Sequence, residues 1–89
     1  MNVNLNFDLF GLDEKTKIAT AGELVSNVLA YQSKGDYVKL FDWALSFYKN
    51  LSVTMDASDL KMLTEVISND ATLTTLAKAP ILKYLYTLK

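Results

Sequence analysis

Two carboxylate pairs, Asp13 with Glu14 and Asp56 with Asp59, are the side chains best spaced for acid–base chemistry in this sequence. Such work needs neighbouring carboxyl groups whose surroundings push their proton affinities apart. Asp13 and Glu14 fall instead in a turn signal, Gly11-Leu12-Asp13-Glu14. Asp56 and Asp59 fall where a helix begins, and the helix dipole already accounts for acidic residues there. A nucleophile fares no better. The 89 residues contain no His and no Cys, so a base would have to be Lys or a carboxylate, and no Ser–Lys spacing stands out.

The same inventory argues against cofactors and metals. The commonest transition-metal ligand and the thiolate ligand are both missing. Asp8, Asp13 and Glu14 do not match the spacing of a calcium loop. The three glycines, at 11, 22 and 35, stand too far apart for a phosphate-binding loop. Nine lysines and no arginine offset ten acidic residues, leaving a net charge of −1. The lysines are scattered, whereas a nucleic-acid site shows a basic stripe and leans on Arg. No stretch reaches membrane-span length, and MNVNLNFDLF lacks the features of a signal peptide. The expectation is a single domain, residues 1–89, that is not an enzyme, takes no cofactor, and contacts neither nucleic acid nor membrane.

Aromatic residues are the remaining candidates. The chain holds five Tyr, four Phe and one Trp, and six of the ten lie between Tyr31 and Tyr48. Most of these serve to fill a small core. Trp43 is expected to differ, because it borders a narrow polar strip on a helix, beside Lys39, Asp42 and Ser46. Trp43 with Lys39, Asp42, Tyr48 and Tyr86 is therefore the expected protein-interaction surface, since Trp and Tyr join an apolar body to a polar tip.

The element carrying that strip is Asp36–Leu51. Its apolar residues cover roughly 220° of the helix, more than twice an ordinary amphipathic stripe. The other elements are expected to pack around it and cover most of it. Residues 2 to 9 alternate polar and apolar, the period of a half-buried strand. That strand needs a partner: Lys15–Ala19, Ser52–Met55, or the same strand of a second chain. Thr20 and Glu23 form a capping-box signature for a helix running to about Ser33, with Gly35 as its left-handed stop. Asp56 caps a third helix to about Asn69, with Met55 and Leu60 at staple positions. Asp70-Ala71-Thr72 opens a last helical stretch that Pro80 kinks or divides. The fold expected is mainly α within the α+β class, a four-helix-segment orthogonal bundle with a small N-terminal β-strand or hairpin.

This arrangement resembles small acidic proteins encoded by tailed bacteriophages or prophages. The resemblance rests on the alternating start NVNLNFDL, the turn at Gly11-Leu12-Asp13 and the helix TAGELVSNVLA. The long Trp-bearing second helix and the closing segment AKAPILKYLYTLK complete it. It is a likeness of pattern across most of the chain and transfers no functional residue. It implies a protein of the host bacterial cytoplasm, or one associated with the virion, that assists assembly or binds and redirects a host protein. The alternative is a structural subunit that self-assembles, as a homodimer or larger, through its N-terminal strand.

Overall fold

The structure, a computed structural model, describes residues 1–32 and 35–88. These form four helices and two small two-stranded sheets, an α+β arrangement. The N-terminal alternation holds to the residue. Val3, Leu5 and Leu9 are buried, Phe7 is half-buried, and Asn2, Asn4, Asn6 and Asp8 are exposed. It does not make one strand, however. β1 (Asn2–Val3) pairs antiparallel with β4 (Val53–Thr54), and β2 (Asp8–Phe10) pairs antiparallel with β3 (Lys17–Thr20). Both intrachain partners offered by the sequence are thus used, each by one end of the N-terminal segment.

The interruption between β1 and β2 has a physical cause. The first backbone amides of a helix have no partner within it. Here the amides of Ala21 and Gly22 donate to the carbonyls of Phe7 and Leu5, each at 2.9 Å. The N-terminal segment therefore caps α1 (Ala21–Ala30) where it would otherwise continue its own ladder. The Asn4 amide donates to the Tyr84 hydroxyl at 3.0 Å, and the Tyr84 ring lies 5.4 Å from that of Phe7.

Thr20 caps α1 through its hydroxyl, which accepts from the Glu23 amide at 3.2 Å. The complete reciprocal capping box occurs at α3 (Ala57–Asn69), between Asp56 and Asp59. α1 ends at Ala30, before the expected boundary. Ser33 lies outside the described residues. Gly35, with φ of +106°, stands immediately before Asp36, the N-cap of α2 (Tyr37–Tyr48), rather than closing α1. α2 itself stops at a Schellman turn. Asn50 takes a φ of +59°, its amide donates to the Phe47 carbonyl, and the Leu51 amide donates to that of Ser46.

The last helical stretch starts later than expected. The Asp70 carboxylate accepts from the amides of Thr72 and Leu73, each at 2.8 Å, which makes a turn there instead of a helix start. α4 then runs unbroken from Thr75 to Tyr86 with Pro80 inside it. Pro80 is exposed, so the carbonyl it leaves unbonded one turn back can turn toward water. Residues from all four helices and from the N-terminal segment share one buried cluster, with Phe47, Leu63, Ile67, Ile81 and Leu85 at its centre.

Two positions carry sharp expectations. A Cβ on Gly22 would fall 2.5 Å from the Phe47 carbonyl oxygen, against backbone that cannot swing aside. Gly22→Ala should cost about 1–3 kcal/mol in urea unfolding, whereas Gly11→Ala, with its nearest neighbour at 3.5 Å, should be near neutral. In the hairpin turn, the Asp13 carboxylate accepts from the Thr16 amide, the Thr16 hydroxyl and the Lys15 amide. These bonds hold its pKa down at about 2, from an ordinary 3.8. A carboxyl depressed by folding stabilises fully above its unfolded pKa and loses that contribution as pH falls through the folded one. Stability should therefore fall between about pH 4 and pH 2 in the parent and lose part of that slope in Asp13→Asn, read by unfolding across that range.

Candidate protein-interaction face

α2 has two apolar faces, and only one belongs to the core. Leu40, Trp43, Ala44 and Phe47 are buried. On the other face Val38 is 73% exposed, Phe41 58%, Leu45 41% and Tyr48 65%, with Tyr37 also exposed. The spacing 38, 41, 45, 48 is the i, i+3, i+7, i+10 run that lines one side of a helix. Four large side chains thus form a continuous stripe that no other element of the described chain covers.

This reverses the expectation for Trp43. Its side chain is only 6% exposed and belongs to the buried cluster. It shares the buried face of α2 with Leu40, Ala44 and Phe47, and Lys39 on the polar strip lies beside it. The Lys39 ammonium sits 6.0 Å from the Trp43 ring centroid and 3.0 Å from the Asp59 carboxylate at the start of α3. One lysine thus stands over the indole and links α2 to α3. The Asp59 hydrogen bond raises the Lys39 pKa, and the same bond lowers that of Asp59. Lys39 is therefore a structural bridge as well as a residue of the expected surface.

The other expected residues separate. Asp42 is exposed, and it forms no ion pair with any described residue. Tyr48 is exposed and belongs to the stripe. Tyr86 is half exposed but stands on α4, which packs chiefly against α3, so the packing does not join it to Tyr48. Sequence reasoning assigns Val38, Phe41 and Leu45 to the covered part of the helix, and the structure places them outside it. The signal that could have found them is the width of the apolar arc. Of the other three helices only α1 packs extensively against α2, too few neighbours for so wide an arc.

The stripe has distinct borders. On one side α1 runs alongside, and Phe41 and Tyr37 line a groove of about 310 Å³ with Leu29, Ala30, Gln32 and Leu40. On the other stand Asp42, Ser46 and Lys49. Many of the charged groups elsewhere are engaged in turns, caps and two ion pairs, Lys17 with Asp8 and Lys39 with Asp59. Among the described residues no cluster of three acidic side chains could hold a metal, and no helix is long and apolar enough to cross a membrane. Compared with known protein families, curated proteins and solved structures, the chain matches none.

The two faces should respond oppositely to truncation. Trp43→Ala removes a buried indole and should lower stability by about 3–5 kcal/mol, a large share of what a domain this size possesses. Phe41→Ala should change it by less than about 0.5 kcal/mol. Equilibrium unfolding followed by Trp43 emission in the Phe41 variant, and by circular dichroism in both, checks the pair.

Proposed function

We propose that the protein is a non-enzymatic interaction module that acts by occupying a surface of a larger protein with the exposed face of α2. One observation carries the reading: a stripe of Val38, Phe41, Leu45 and Tyr48 that stays in water although the core has no need of it. A monomer seldom keeps so many large apolar side chains together in solvent without a use for them. Helix-in-groove recognition uses this i, i+3, i+7 anchor pattern. Its aromatic members supply large contact area with few rotors to immobilise.

The resemblance to small acidic phage proteins supplies the setting: a bacterial cytoplasm, with a phage assembly component or a host protein as partner. The alternative, self-assembly through the N-terminal strand, has less to rest on. β1 and β2 already pair with β4 and β3 of their own chain, and the segment between them is bonded to α1 and Tyr84.

A photo-reactive phenylalanine analogue placed at position 41, in cells of a bacterium, tests the reading. A discrete heavier adduct is expected from position 41 and not from position 6, which lies exposed on the N-terminal segment. Leu45→Asp should abolish the adduct without lowering the unfolding midpoint. Equal labelling from both positions would sink the proposal.

A further inference from the structure

The border of the stripe carries an ordered pair of charges. Asp42 and Lys49 are seven residues apart, about two turns, so they stand on the same side of α2 roughly 10 Å apart along its axis. Both lie on the Val38 edge of the stripe, and neither forms an ion pair with a described residue. They carry opposite charge. Between them, on the apolar face, lies Leu45.

That order is self-complementary. The midpoints of the pairs Asp42/Lys49 and Phe41/Tyr48 both fall within one residue of Leu45. A two-fold axis beside Leu45 therefore sets Asp42 against Lys49 of a second copy and Lys49 against its Asp42 in one operation. The same rotation brings Phe41 of each copy near Tyr48 of the other and Leu45 near its own counterpart. Antiparallel helices also oppose their dipoles. A parallel pairing would set the Asp42/Lys49 edge against the opposite edge, where α1 stands and offers neither charge. The net charge of −1 leaves little repulsion between two copies.

The geometry points to a second copy of this chain as the resting occupant of the α2 face, packed antiparallel about Leu45 with reciprocal Asp42–Lys49 ion pairs. This rests on the reading of α2 as an interaction surface and adds its regulation. The face is sheltered in a homodimer, and a heterologous partner binds by displacing the second copy. Binding to that partner then weakens as the protein's own concentration rises, because the two equilibria compete for one surface.

Sedimentation velocity on the full chain tests this with three samples: the parent, Asp42→Lys and Lys49→Glu. The parent should dimerise in the micromolar range. Each variant alone meets like charge at both contacts and should dimerise at least tenfold more weakly, to order of magnitude about what two such contacts lose. Mixed, the two variants should recover association as a heterodimer. The introduced lysine of one then faces the introduced glutamate of the other, and the remaining contact keeps the parental pairing of Lys49 with Asp42. Both substituted sites are on the surface, and circular dichroism confirms that each variant keeps its fold. A parent that stays monomeric, or a dimer indifferent to both substitutions, overturns the inference. The failures are separable. A monomeric parent that still yields the position 41 adduct overturns the dimer and keeps the interaction reading. A charge-dependent dimer whose adduct is only its own copy keeps the dimer and overturns the larger partner.

Discussion

A Cβ on Gly22 would sit 2.5 Å from the carbonyl oxygen of Phe47, so α1 and α2 cross at a distance that only bare backbone permits. The Gly22 amide also donates to the Leu5 carbonyl, which brings the N-terminal segment to the same point. Three parts of the chain meet there, and their meeting fixes how α2 is rotated. With Phe47 turned inward at the crossing, Trp43 follows one turn earlier on the same side, and Leu40 after it. Phe41, Leu45 and Tyr48 are then carried outward. The exposed stripe is a geometric consequence of the crossing, not a separate local feature.

Lys39 completes that rotation from the other side. Its ammonium lies 6.0 Å from the Trp43 ring centroid, and its bond to Asp59 links α2 to the capped start of α3. A charged residue on the polar strip thus takes the place of an apolar neighbour, in the way long lysine side chains cover hydrophobic surface while keeping their charge wet. Asp59 serves twice, since its carboxylate also accepts from the Asp56 amide in the capping box. Leu40, Trp43, Ala44 and Phe47, the buried residues that hold α2 to the core, lie on the half of the helix opposite Leu45.

Much of this was legible in the sequence, and the parts that were not share a cause. The alternation of residues 2 to 9 and the Asp56 cap depend on neighbours close in the chain, and local pattern reports those well. The turn at Asp70 and the continuity of α4 through Pro80 depend on which backbone groups find local partners and which face solvent. The bridge beside Trp43 depends on Lys39 and Asp59, twenty residues apart in sequence. The close approach at Gly22 depends on Phe47 of another helix. Gly22 reads as part of a capping signature, and nothing local distinguishes a glycine that lets a helix start from one that lets two helices touch. Helical phase alone sets Trp43 at the edge of a polar strip. It cannot say that the strip itself is half covered.

The width of the α2 arc is where local pattern and global packing disagree, and that disagreement is what singles out a surface. An arc of roughly 220° can be read as a helix buried on most sides or as a helix with two separate tasks. The first needs neighbours enough to surround it. α1 covers one side and α3 meets it mainly at the Lys39 bridge, while α4 packs chiefly on α3. Among the described residues no element covers the stripe of Val38, Phe41, Leu45 and Tyr48 itself, although α1 borders its Phe41 edge. Burial removes apolar surface from water only as far as neighbouring elements reach, so that stripe stays outside, and it is on this stripe that the proposed interaction rests. The polar border narrows what surface can meet it. A generic apolar partner would be indifferent to the order of charge along the edge of the stripe, whereas Asp42 and Lys49 are placed symmetrically about Leu45, the condition that a two-fold contact imposes.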